Sequence, residues 1–159
     1  MVLSDQEINK QEEMEFIPKL LGFVCNWCSY GGADAAGQLH MNYPVDTRLI
    51  RVMCSGRVDP QLMIDALKKA DLVFVAGCHL PNDCHYKTGN HFARTRVNMM
   101  QSTLMNLGIN PQRLQMLFIS PSEGKEFASA MKELKELAFN LGPNPLRLEN
   151  EIGVKVIES

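Results

Sequence analysis

Asp59–Ala76 reads DPQLMIDALKKADLVFVA, and this stretch sets the fold class. Asp59 followed by Pro60 is a helix N-cap with proline at the first helical position. Leu62, Met63, Ala66, Leu67 and Ala70 then recur on one helical face. The stretch ends in Leu72–Ala76, an apolar, β-branched run of the kind that fills a strand buried on both faces. Helix followed directly by a fully buried strand is the unit of a parallel sheet with right-handed crossovers. Working outward, Leu20–Cys25 (LLGFVC), Thr47–Met53 (TRLIRVM) and Leu114–Ile119 (LQMLFI) read as three further strands. Phe92, Val97, Met100, Leu104 and Leu107 form the apolar stripe of a long helix that Gly108 ends. Ser120, Pro121 and Glu123 read as a capping box. They open a helix carrying Phe127, Met131, Leu134 and Ala138 inward, with Lys132, Glu133, Lys135 and Glu136 outward. Gly142-Pro143-Asn144-Pro145 stops it. The expected fold is α/β: a small doubly wound, flavodoxin-like layer of about four parallel strands and about four helices.

The chain has 159 residues, the size of one domain at about 100–200 residues each. Its apolar fraction of 45% and charged fraction of 21% are those of a soluble globule. Sixteen basic residues against eighteen acidic ones leave a net charge of −2. That balance argues against a nucleic-acid or membrane-surface binder. The opening MVLSDQEINKQEEMEF lacks the basic and apolar regions of a signal peptide, and no apolar run reaches membrane-spanning length. A cytoplasmic protein is expected. Residues 1–18 read as a flexible, acidic leader, 19–142 as the α/β domain and 143–159 as a C-terminal arm. The arm's apolar positions Leu146, Leu148, Ile152, Val154, Val156 and Ile157 suit docking on a neighbouring subunit or return as an edge strand.

Five cysteines are the compositional oddity. The number is odd and a core of this size needs no cystine frame, so metal ligation or redox chemistry fits better in a reducing compartment. Cys25 closes the first strand and Cys28 follows in the next loop. Cys54 closes the second strand, Cys78 lies just past the third, and Cys84 sits in the loop beyond. All five therefore fall at or beyond carboxyl ends of strands, the edge where open parallel sheets bind ligands. Gly56, Gly77 and Gly89 fall on the same edge. Gly31 and Gly32 read either as a backbone approach to a bulky ligand or as a plain turn. Helices starting after these loops direct their positive ends at the site, which favours thiolates and an anionic cluster.

Three chemistries compete for these thiols. An iron–sulfur cluster takes four cysteine thiolates, leaving one spare. Zinc takes Cys₄ or Cys₃His, although only Cys25-x-x-Cys28 has the compact spacing of a zinc knuckle. Thiol–disulfide exchange would use Cys25 and Cys28 after a strand, and leaves Cys54, Cys78 and Cys84 unexplained. His79 and His85 each follow a cysteine, but the adjacent Cys84 and His85 do not match Rieske spacing, and the two are read as second-sphere or loop residues. His40 and His91 are read as surface positions. Trp27 and Tyr30 read either as shields of a cluster from water or, Tyr30 above all, as ordinary packing. Arg51, Arg57, Lys87, Arg94 and Arg96 add positive charge to the same loops, suited to a reduced cluster or an acidic partner, with solvated surface the plain reading of any one of them. Phosphate-binding loops, dinucleotide fingerprints and nucleophile elbows are absent from the sequence.

The segments FVCNWCSYGGADAAG, RVMCSGRVDP and VAGCHLPNDCHYKTGNHFARTR resemble the delta, iron–sulfur subunit of methyl-viologen-reducing hydrogenase. The resemblance runs from about Lys19 to Leu141. It implies a [2Fe–2S] protein with no catalysis of its own, passing electrons from a hydrogenase or formate dehydrogenase to the flavin-containing subunit of an electron-bifurcating heterodisulfide reductase. That reductase cleaves the coenzyme M–coenzyme B disulfide of methanogenesis. Carried over by position, the ligands come from Cys25, Cys28, Cys54, Cys78 and Cys84. Cys78 and Cys84 rank first, then Cys25, with Cys28 and Cys54 competing for the remaining place.

Overall fold

A run of apolar residues with no polar interruption makes Leu72–Gly77 (β3) a central strand, buried at every position. In the computed structural model, which describes residues 16–150, it lies beside Leu20–Cys25 (β1), itself buried at all but one position. Thr47–Val52 (β2) and Leu114–Phe118 (β4) form the two edges and are correspondingly half exposed. All pairings are parallel, in the order β2-β1-β3-β4. The expected doubly wound α/β layout is the one observed. The strand order reverses between β1 and β3, which makes the crevice at their carboxyl ends a topological switch point.

Alternation along the strands divides the core in two. Leu20, Val24, Leu72, Phe74 and Ala76 face Ser29–Gln38 (α1) and Gly124–Leu141 (α4). Phe23, Val73, Val75 and Leu114 face Pro60–Leu67 (α2) and Gly89–Asn106 (α3). Each fully buried Leu, Val or Phe is worth about 1.5–3 kcal/mol of transfer free energy, so the two clusters carry the fold. Gly22 supplies the space for one of them: a Cβ there would lie 2.0 Å from the Phe74 ring.

Several local expectations need correction. Asp59 does cap α2, accepting from Leu62 N–H at 2.8 Å, but the Leu62 side chain points outward. Phe92 and Leu107 are likewise exposed, because they sit at the ends of α3 where the helix runs past its neighbours. The capping box forms by half. Glu123 Oε2 accepts from Ser120 N–H at 2.6 Å, the serine side chain does not cap, and α4 starts only at Gly124. Gly31 and Gly32 lie inside α1, and neither expected reading applies. A Cβ on Gly32 would meet Ile119 Cγ2 at 2.8 Å, and one on Gly31 would meet Pro121 at 3.0 Å. These glycines let α1 pack against the connection between β4 and α4.

At the opposite end of the sheet, buried Asp71 accepts from the backbone N–H groups of Lys19 and Asn144 and pairs with Arg147 at 3.2 Å. Asn144 Nδ2 donates to the carbonyls of Leu67 and Ala70, and Arg113 donates to the carbonyls of Leu141, Gly142 and Pro143 that end α4. Residues 143–150 are thereby held to the domain, with 145–150 helical. Leu146 packs on the α2–α3 cluster while Leu148 is exposed. The leader up to residue 15 and the arm positions Ile152, Val154, Val156 and Ile157 lie outside the described residues. No helix among the described residues is long and apolar enough to cross a membrane.

Candidate metal centre

The switch point gathers the cysteines. Cys25 is the last residue of β1, and its N–H donates to Ser29 Oγ at 2.8 Å. Ser29 in turn donates to the carbonyl of Ala76 in β3 at 2.8 Å. That buried serine ties the two central strands together just where they diverge, and it holds the start of α1 over the crevice. Cys28 immediately precedes α1. Cys78 follows β3, and buried Asn90 fixes it from α3 by donating to the carbonyls of Cys78 and His79. The sulfurs of Cys25, Cys28 and Cys78 all lie within 4.8 Å of one another, with Cys25 and Cys78 at 4.0 Å.

Cys54 and Cys84 form a second group, their sulfurs 4.0 Å apart. Cys54 leaves β2 into a short helical turn, Ser55–Arg57, and Cys84 lies on the 79–88 loop before α3. Gly89, the first residue of α3, makes room for both. A Cβ there would stand 2.2 Å from Cys54 Sγ and 3.2 Å from Cys84 Sγ. All five cysteines are unpaired and buried; Cys84, the most accessible, is 8% exposed.

Electrostatics set the thiols apart. Hydrogen bonds from Cys28 and Cys78 draw the Cys25 pKa well below that of an ordinary thiol, and the backbone N–H groups of Trp27 and Ser55 add to the effect. Cys28 and Cys78 are pushed upward, chiefly because each shares its hydrogen bond with Cys25. Burial is the main cause of the upward shift at Cys54, partly offset by the N–H of Gly56. The backbone N–H of His85 offsets part of the upward shift at Cys78. A buried, converging set of sulfurs ringed by N–H donors, with a glycine where a Cβ would collide, fits a thiolate-ligated metal group.

The histidines are engaged elsewhere, except for His40, exposed after α1. His79 Nε2 pairs with Glu123 Oε2 at 2.7 Å, and that contact holds the Glu123 pKa below the usual carboxylate range. His91 Nε2 meets the carbonyl of Pro81 at 2.7 Å. His85 stacks on Trp27, with ring centroids 3.8 Å apart and planes 12° from parallel. Trp27 Nε1 donates to Tyr86 Oη at 3.2 Å. These rings link the Cys25–Cys28 loop to the Cys84 loop from outside. Tyr30 instead lies under Arg51, at 4.8 Å. Arg96 binds the carbonyls of Gly56 and Val58 and so braces the turn after Cys54. Ser29, Asn90 and the His79–Glu123 pair escaped the sequence reading. Only Glu123 gave a local signal there, as a helix cap.

A model of the family described as "Methyl-viologen-reducing hydrogenase, delta subunit" matches residues 20–142. The chain is 48% identical over 131 residues to the iron-sulfur subunit of the vhc F420-non-reducing hydrogenase of Methanococcus voltae, covering 82% of this chain and 90% of that one. It is 45% identical over 130 residues to the iron-sulfur subunit of the F420-non-reducing hydrogenase of Archaeoglobus profundus, covering 81% and 94% respectively. It is also 39% identical over 135 residues to one subunit of the ferredoxin:CoB-CoM heterodisulfide reductase of Methanosarcina mazei. There the match takes in 84% of this chain but only 17% of the larger protein.

Proposed function

Because the chain belongs to the methyl-viologen-reducing hydrogenase delta-subunit family, we propose that it is an electron-transfer subunit carrying one [2Fe–2S] cluster. It relays electrons from a hydrogenase or formate dehydrogenase to the flavin-containing subunit of a heterodisulfide reductase. The observation that carries this reading is the buried convergence of Cys25, Cys28 and Cys78 at the switch point, with Cys54 and Cys84 beside them. Two kinds of relative support the partners: proteins named iron-sulfur subunits of hydrogenases, and a heterodisulfide reductase subunit that contains a segment similar to this chain. When bound, such a cluster accepts and releases one electron at a time.

The chain's own residues have three tasks. Cys25, Cys28 and Cys78 supply three thiolates, and Cys84, whose sulfur lies 4.0 Å from that of Cys54 beside them, supplies the fourth. Cys54 is the fifth, non-ligating thiol. The N–H groups of Trp27 and Ser55 at Cys25, and of His85 at Cys78, stabilise negative charge on sulfur and thereby raise the potential. Burial keeps water and small oxidants away, and it weighs against thiol exchange at Cys25, which is 1% exposed.

Mixing the anaerobically reduced, desalted chain with the oxidised, flavin-loaded subunit of heterodisulfide reductase tests the relay. Flavin absorbance is expected to bleach on the wild-type chain and to persist with Cys78→Ser. Equal bleaching by both chains, or by neither, contradicts the assignment.

A further inference from the structure

Beside the cysteine edge lies a cavity of about 430 Å³ whose walls include Met53, Cys54, Arg57, Tyr86, Gly89 and Phe92. Three of these are large apolar side chains left in water: Met53 is 53%, Tyr86 48% and Phe92 58% exposed. Trp27, bonded to Tyr86, extends the same surface. Apolar groups gathered in this way mark a contact site. One wall is Cys54 itself, so a group seated in the cavity touches the thiol site without passing through protein.

The cavity wall holds one charged side chain, Arg57, and Lys87 follows Tyr86, both exposed. α3 begins at the same wall with no acidic residue in its first turn. Among the described residues no carboxylate lines the cavity; the acidic residue of the 79–88 loop, Asp83, lies outside the lining. A second copy of this chain docked face to face would set Arg57 and Lys87 against their own counterparts, a costly arrangement.

We infer that this cavity is a docking socket for a redox partner that inserts an apolar side chain flanked by carboxylates. The inference rests on the electron-relay reading and locates the contact through which that relay works. Apolar insertion supplies the contact energy, while the acidic flank meets Arg57 and Lys87 and speeds encounter.

The test compares wild-type chain with Phe92→Asp and Arg57→Glu, titrated calorimetrically against the flavin-containing heterodisulfide reductase subunit and against the hydrogenase, at low and high salt. Both variants are expected to keep wild-type iron content and visible spectrum, since neither side chain bonds to a cysteine. Phe92→Asp is expected to weaken binding of one partner by about tenfold or more. Arg57→Glu should weaken it at low salt and flatten its salt dependence. Wild-type affinity for both partners in both variants overturns the socket and leaves the relay standing. A wild-type dimer that Phe92→Asp dissolves puts a second copy in the cavity and overturns the choice of occupant. Failure of the wild-type chain to bind either partner overturns the relay reading and the socket with it.

Discussion

Gly89→Ala is expected to strip metal from a chain that keeps all five cysteines. The added Cβ would lie 2.2 Å from Cys54 Sγ, which must move, and 3.2 Å from Cys84 Sγ, a tight contact. The displaced Cys54 sulfur and the new methyl therefore both press on the Cys84 sulfur, 4.0 Å from that of Cys54. Gly89 is no ligand, and its backbone is helical. Alanine is no worse than glycine in a helical backbone, so the substitution acts on the site and not on α3. Disturbance of supporting residues around a metal typically lowers affinity by about 10- to 100-fold. Iron retained against a chelator should fall by that factor in Gly89→Ala. It should stay at the wild-type level in Gly37→Ala, where an added Cβ meets nothing within 4 Å. Equal retention in the two variants contradicts the placement of the site.

Serine replacements divide the cysteines by role. Cys78→Ser and Cys84→Ser are expected to lose the visible absorption of the cluster and most of the iron, because a serine hydroxyl is a poor, hard substitute for thiolate. Cys25→Ser should behave alike, since Cys25 is the sulfur most stabilised as thiolate and contacts both other members of the trio. Cys54→Ser should retain near-normal iron with an altered spectrum or potential, as its sulfur borders that of Cys84 at 4.0 Å. Iron determination on the anaerobically purified variants decides. If Cys54→Ser loses iron as fully as Cys78→Ser, Cys54 is a ligand and the four-plus-one assignment is wrong.

The central strands were legible in sequence because burial on both faces leaves an uninterrupted apolar run. Leu20–Cys25 matches the observed β1, and Leu72–Ala76 falls one residue short of β3. The convergence of the cysteines followed from the same reading, since every parallel strand ends at one edge. Their division into Cys25–Cys28–Cys78 and Cys54–Cys84 was not legible. It depends on the spatial order of the strands, which sets β1 between β2 and β3, and on the path of the 79–88 loop. Periodicity placed Phe92 inward because it fits the α3 stripe. The residue sits in the first turn, beyond the cover of the sheet, and opens onto the cavity. Ser29 and Asn90 left no trace in the pattern, for a single polar residue that bonds a distant backbone carbonyl has no period to detect. The glycines at 31 and 32 gave a false lead, because close packing of a helix and approach to a ligand ask for the same missing side chain.

The central claim is that these thiols hold an iron–sulfur cluster, and quantifying iron, zinc and acid-labile sulfide in the anaerobically purified wild-type chain tests it most directly. A [2Fe–2S] centre predicts about two irons and two sulfides per chain, with a paramagnetic resonance signal that appears on one-electron reduction. About one zinc per chain, with neither sulfide nor signal, would make the site a structural thiolate centre and contradict the electron-relay account.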